Sequence, residues 1–350
     1  MLPCLIVRNP GLHTTIQDLG RTGYLDNGVP PSGAIDFVNL RLANILVGND
    51  QGEGCLEILH GGPEYTLQAD SARFALGGTD SFLDILEPDR KQIEPGRSAT
   101  LARGARFRVV LGRASSCAYL AVAGGYEIEP VMGSVSTYVR GEFGGFKGRP
   151  LRKADQVPLR QGKIAGQGDF LFSRSPQSVP GGGVLTIRVI PGPQQDYLTR
   201  EGTRCLFNET FSYSPNADRM GIRLDGPTLE LQSIEGFVSD GIIAGAIQVP
   251  GSGQPIVLMA DHQTSGGYPK VATVISVDLP LLGRALPGTL IRFKAVTIEE
   301  AQKALSDLEA DIQAIAESMQ PIRSEAHLNS EHLLSNNLIS GFVTGGSEDN

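Results

Sequence analysis

The densest set of reactive side chains lies within residues 244–275, where Gln248, Asp261, His262, Gln263, Thr264, Ser265, Tyr268 and Lys270 surround a Gly266-Gly267 pair. Two apolar runs flank the set, Ile256 to Met259 and Val271 to Ile275. Apolar runs of that length bounded by Gly and Pro read as buried strands, which makes the polar stretch a loop held at the end of a sheet. Loops presented by rigid strands are where chemistry usually sits. Lys270 can stabilise developing negative charge or act as an acid, and Asp261 can position a nucleophile or its proton. His262 can transfer a proton or serve structurally. The competing reading of the whole stretch is a hairpin whose Asp, Thr and Ser hydrogen-bond their own turn.

Three other segments offer chemistry. In Gly28-Val29-Pro30-Pro31-Ser32-Gly33-Ala34-Ile35-Asp36 two prolines restrict the chain, and Ser32-Gly33 at a helix entrance can offer donors to an anion or form a rigid turn. Around Gly144-Gly145-Phe146-Lys147-Gly148 the glycines let backbone approach a ligand, while Arg140 and Arg149 can grip a carboxylate or phosphate at two points or be solvated charge. In Asn216-Ala217-Asp218-Arg219-Met220-Gly221 the Asp218-Arg219 pair can point one partner into a site or cap a turn. There is no HxxxH or HxE spacing for a metal, and no P-loop, GxGxxG or GxSxG motif.

The elements that must position these residues are mainly strands. The chain has 44 Gly and 22 Pro, and its short apolar runs recur from Cys55 to Val122 at about ten-residue spacing, the rhythm of a barrel or sandwich. At 350 residues the chain exceeds one comfortable core, so two domains are expected. Residues 1–184 form the first, with a long Gly/Arg loop, and residues 185–297 the second, after a linker at 175–183. A short helix follows Asp36 as N-cap and ends at Gly48-Asn49. A longer one, 298–319, opens with a capping box of Thr297 and Glu300. The polar segment 320–350 reads as a flexible tail.

Composition removes other classes. A net charge of −8 lacks the basic footprint of a nucleic-acid surface. No stretch approaches the 18 apolar residues of a membrane span and the N-terminus has no leader pattern, so a cytoplasmic protein is expected. Cys4, Cys55, Cys117 and Cys205 form no CxxC pair and read as buried apolar residues.

TTIQDLGRTGY, GVPPSGAID, EFGGFKGRPL, ADRMGIRLDGP and GAIQVPGSGQPIVLMADHQTSGGYPK occur in this order, and with them residues 5 to 300 resemble the biotin-dependent carboxyltransferase family. Its members include the KipA proteins, the C-type subunit of the prokaryotic 5-oxoprolinase and the "allophanate hydrolase subunit 2" region of urea carboxylase. The resemblance implies two cyclophilin-like β-barrel domains and a composite active site built with a KipI-like, B-type partner. In 5-oxoprolinase a LamB/YcsF-type, or A-type, partner completes the enzyme, which opens 5-oxo-L-proline to L-glutamate at the expense of ATP. That hydrolase role, with ATP used by the complex and no biotin, is the expected function, and the chain alone is expected to be inactive. The alternatives are a component moving a carboxyl group from carboxybiotin to urea or a related amide, and a KipA-type regulatory protein acting through its KipI-like partner. Asp261, Gln263, Tyr268 and Lys270 match the family's DxQTxGGYPK pattern, Asp218 and Arg219 its DRMG pattern, and Arg149 its GGFxGR pattern. The expected catalytic set is therefore Lys270, Asp261 and Asp218, with Arg149, Arg140, Arg219, Gln263, Tyr268, Ser32 and Gln248 binding substrate.

Overall fold

The computed structural model describes residues 2–113, 115–164, 168–174, 183–233 and 238–322. In the first half two antiparallel sheets face each other. One runs Gln156–Pro158, Cys4–Asn9, Glu64–Gln68, Arg106–Val110, Phe82–Glu87 and Lys91–Ile93, and the other His13–Gln17, Cys55–Leu59, Cys117–Val122, Ser71–Gly77 and Ser98–Ala102. Leu5, Val7, Tyr65 and Phe107 from the first meet Ile16, Leu56, Ile58, Phe74 and Leu120 from the second in one core. Alternation drives this packing, since Leu56 and Ile58 point one way and Cys55, Glu57 and Leu59 the other.

The second sheet is buried on both faces. Helix α1, Phe37–Val47, covers its outer side, with Leu40, Ala43 and Leu46 packed on Cys55, Leu59, Tyr119 and Ala121. Asp36 caps this helix as expected, its carboxylate accepting the Asn39 N–H at 3.2 Å, and Gly48 ends it at φ 82°.

The second half closes into a seven-stranded barrel. Its order is Leu185–Pro191, Lys270–Val274, Ala246–Gln248, Ile256–Leu258, Gly221–Asp225, Phe211–Tyr213 and Leu290–Ala295. Every pairing is antiparallel except Leu185–Pro191 with Leu290–Ala295, which closes the ring in parallel. Helix α2, Arg200–Asn208, packs on the last strand, and helix α3, Leu279–Arg284, faces the first half. The expected polar loop is real, and it is not a hairpin. The strands Ile256–Leu258 and Lys270–Val274 both pair with Ala246–Gln248, so the loop arches over the end of that strand.

Helix α4, Ile298–Glu317, has the full capping box and returns to the first half, where Ile312 and Ile315 join the α1 core and Glu309 accepts two bonds from Arg41. The chain then forms a short strand, Met319–Pro321, on Phe170–Phe172. Gln320 and Pro321, expected in the tail, are held by that pairing because it satisfies their backbone groups. Most of the expected linker, residues 175–182, and the tail beyond 322 lie outside the described residues. All four cysteines are buried and free.

Candidate functional site

The segments singled out in the sequence meet where the two halves touch. Ser32, held at φ 54°, donates its N–H to the Ala260 carbonyl at 3.0 Å, pinning the first half's Pro-Pro turn to the second half's polar loop. Gly33 follows at φ 86° with its Cα packed against the Gly20 backbone, so close that a Cβ there would lie 2.8 Å from the Gly20 nitrogen. Glycine is required at that contact.

Arg219 is the centre of the junction. Its Nε and Nη2 grip both oxygens of Asp261 at 2.9 and 3.1 Å, Nη2 also donates to the Gly33 carbonyl at 2.8 Å, and Nη1 donates to Glu57. Glu57 is fully buried, and its second oxygen accepts from the Tyr119 hydroxyl at 2.7 Å and the Ile35 N–H at 3.0 Å. Tyr119 in turn accepts the Asp36 N–H at 2.8 Å, and Asp36 accepts from Arg284 Nη1 of α3 at 3.1 Å. Burial works against the Arg219 charge, but Asp261 and Glu57 outweigh it and hold the guanidinium's pKa above its ordinary value. This network crosses the junction twice and fixes the two halves in one orientation.

Beside it lies a second cluster at the barrel's end. Lys270 is buried, with its ammonium donating to Asp240 and, at 2.9 Å, to the Gly241 carbonyl. The Lys270 hydrogen bond keeps the Asp240 carboxyl below its usual range. Gln194 accepts the Lys270 N–H at 2.9 Å and donates to Asp240 at 3.3 Å. Gln248 lies opposite Lys270 in the ladder and accepts from Gln263 at 3.3 Å, leaving its own buried amide nitrogen without a partner among the described residues. A Cβ on Gly266 would come within 2.7 Å of that nitrogen, so the glycine keeps the space open. Tyr268 is exposed on the same loop. The imidazole of His262 is buried, its Nδ1 2.7 Å from the Gln263 carbonyl, and burial lowers its pKa, so it is neutral at pH 7.

The structure thus brings Ser32, Arg219, Asp261, Gln263, Gln248 and Lys270 onto adjoining segments. Arg140 Nη1 lies 2.8 Å from Met220 Sδ, which carries the glycine-rich loop to the Asp218-Arg219 turn. Two expected residues are turned to local work. Asp218 is exposed and accepts the N–H groups of Met220 and Gly221 at 2.8 and 3.2 Å, and Arg149 is bidentate to Asp155 at 2.8 and 2.8 Å. Among the described residues no group of three His, Cys, Asp or Glu side chains is placed to hold a metal ion, and no helix is long and apolar enough to cross a membrane.

The family model for the carboxyltransferase domain, subdomain A and B, matches residues 27–295. The chain belongs to the carboxyltransferase-domain family. It is 35% identical over 306 residues to the C-type subunit of 5-oxoprolinase from Escherichia coli, covering 87% of this chain and 96% of that one. It is likewise 35% identical over 289 residues to the Haemophilus influenzae counterpart, covering 83% and 90%. The crystal structure of the K. lactis urea amidolyase superposes with a TM-score of 0.80 at 28% identity over 90% of this chain, which spans 20% of that much longer protein.

In this carboxyltransferase domain several residues of the junction escape a motif search. Glu57 and Tyr119 sit inside the strand runs CLEIL and CAYLAV, and Arg284 inside α3, where nothing local marks them. A signal did exist for Asp18 and Arg21, which lie in the shared stretch TTIQDLGRTGY. Asp18 organises the approach to the glycine-rich loop, accepting from Gly20, Ser134, Ser136 and the Val135 N–H at 2.6 to 2.8 Å.

Proposed function

We propose that this chain is the C-type subunit of an ATP-dependent 5-oxoprolinase, a cytoplasmic complex that opens 5-oxo-L-proline to L-glutamate. The observation that carries the reading is the 35% identity to its E. coli counterpart, which extends over nearly the full length of that protein. The chain works with a KipI-like, B-type partner and a LamB/YcsF-type, A-type partner, and is inactive alone.

The geometry supports division of labour between the two clusters. Opening a lactam places negative charge on the amide oxygen, and a buried ammonium held in place by Asp240 and Gly241 offers stabilisation without reorganising. Lys270 is assigned that role, with the amides of Gln248 and Gln263 orienting the substrate's polar edges and Tyr268 closing on it from the exposed loop. Asp261 and Arg219 act as positioning residues, since each satisfies the other and both hold the Ser32 turn against the loop.

ATP is used by the complex. Arg219 is paired with two carboxylates and Arg149 with Asp155, so neither guanidinium is free to hold a triphosphate. Biotin plays no part. The likeness to urea amidolyase favours a second reading, transfer of a carboxyl group from carboxybiotin to an amide, which would make turnover sensitive to avidin.

The test is to replace the C-type subunit of the E. coli enzyme with this chain and follow 5-oxo-L-proline consumption. ATP-dependent, avidin-insensitive turnover is expected. Silence in a hybrid shown to assemble with the other components, while the native protein restores activity, would remove the oxoprolinase reading.

A further inference from the structure

Arg21 is a buried charge that this scheme leaves unused. It is 2% exposed, with the Phe143 ring 5.0 Å from its Cζ. A guanidinium carries five N–H donors. One, on Nη2, is taken by the Ser136 carbonyl, while Nε and Nη1 find no acceptor among the described residues. Whichever Nη2 hydrogen Ser136 takes, the other completes a two-donor fork with either Nε or Nη1, the geometry that matches two oxygens of one anion.

The carboxylates whose charge bears on Arg21 are Asp18 and Asp261. Both are committed elsewhere. Asp18 accepts four bonds from the Gly20 and Val135 N–H groups and the hydroxyls of Ser134 and Ser136, and both Asp261 oxygens are held by the Nε and Nη2 of Arg219. Burial therefore pushes the Arg21 pKa down, and a buried cation with unmatched donors carries a free-energy cost that an incoming anion would relieve.

The surroundings point the same way. The Arg21 N–H donates to the Pro31 carbonyl at 2.8 Å, and the next residue, Ser32, has a buried hydroxyl that also lacks a partner among the described residues. Ser32 is bonded to Ala260, so the unmatched fork and hydroxyl lie on segments that touch the polar loop carrying Asp261 to Lys270. On the other side a Cβ at Gly144 would sit 3.0 Å from Arg21 Nη2, so glycine there leaves the guanidinium room.

We propose that Arg21, with the Ser32 hydroxyl beside it, binds an external oxyanion, and that in the reaction above the oxyanion is the carboxylate of 5-oxo-L-proline. The second clause rests on the oxoprolinase reading; the first does not. Arg21 holds the substrate's unreacting end while the lactam faces Lys270.

Binding of 5-oxo-L-proline, its neutral carboxamide, bicarbonate and inorganic phosphate would be measured by calorimetry on the full chain, alone and in its complex, for wild type, R21K and R21Q. The melting curve and near-ultraviolet spectrum report whether each variant is folded, and R21K retains the charge should R21Q fail. Losing a charge-assisted fork weakens binding at least about tenfold. The expected result is that loss for 5-oxo-L-proline in both variants, with the carboxamide binding weakly and equally to all three. If bicarbonate or phosphate binds in place of 5-oxo-L-proline and is lost in the same variants, the anion site stands and the oxoprolinase reading falls. If wild type binds none of the anions in either state, or a folded variant binds them as wild type does, the site is refuted.

Discussion

Arg219→Met removes the cation at the junction while keeping most of the side-chain volume. Four donated bonds disappear, two to Asp261 and one each to Glu57 and the Gly33 carbonyl, and two buried carboxylates lose their counter-charge. Removing one partner of a buried ion pair costs about 3–5 kcal/mol, and the upper part of that range applies where two carboxylates are orphaned. At about 2–4 °C per kcal/mol, an upper-range loss of about 4–5 kcal/mol lowers the melting temperature at neutral pH by about 8–20 °C. Calorimetric melting of both proteins at neutral pH measures it, with Glu57→Gln added to the variant as a check that recovers part of the loss. A folded R219M that melts within about 2 °C of wild type at pH 7 would refute the claim that this network joins the halves.

Lys270→Ala is expected to lower turnover in the assembled complex at least about a hundredfold, the scale of a lost charge-stabilising donor, while co-purification with its partners is retained; wild-type turnover by that variant would remove Lys270 from the mechanism. Gly144→Ala places a Cβ 2.1 Å from the Ser136 carbonyl in a residue at φ 71°, so a loss of at least about 1–2 kcal/mol in chemical denaturation is expected, and an unchanged midpoint would contradict the packing. The Arg149 hydrogen bond holds the Asp155 carboxyl below its usual range, so the pair's contribution is complete above the ordinary carboxylate range and is lost as pH falls through the lowered folded value. Asp155→Asn should accordingly destabilise the chain at pH 7 and make little difference once Asp155 is protonated in the wild type, which melting at the two pH values would show.

What could be read from sequence was local. Asp36 and Gly48 bracket α1 because capping chemistry acts within a turn, and Thr297 with Glu300 announces α4 for the same reason. The strand rhythm from Cys55 to Val122 gave the β-rich first half, yet passed over Phe82–Glu87 and Lys91–Ile93. The edge strand Lys91–Ile93 and the end of Phe82–Glu87 run through LEPDRKQ, where charge and proline mask the alternation. Glu57 shows why the junction stayed hidden. By alternation it belongs to the outer face of its strand, which an isolated sheet would give to solvent. Here α1 covers part of that face and Arg219 arrives from 162 residues away, so the partner that makes a buried glutamate tolerable is a product of domain packing. The glycine-rich loop read as binding because its glycines and arginines look available. Arg149 is instead occupied by Asp155, and among the described residues Arg21 is an arginine with donors to spare, in the stretch TTIQDLGRTGY that the family resemblance included without giving Arg21 a role.

The most direct measurement of the central claim is L-glutamate release from 5-oxo-L-proline and ATP by this chain alone, with its B-type partner, and with B-type and A-type partners together. Glutamate is expected in the complete mixture alone, in proportion to ATP hydrolysed and unchanged by avidin. A complete mixture that assembles and hydrolyses no 5-oxo-L-proline, or one whose turnover stops with avidin, would contradict the assignment.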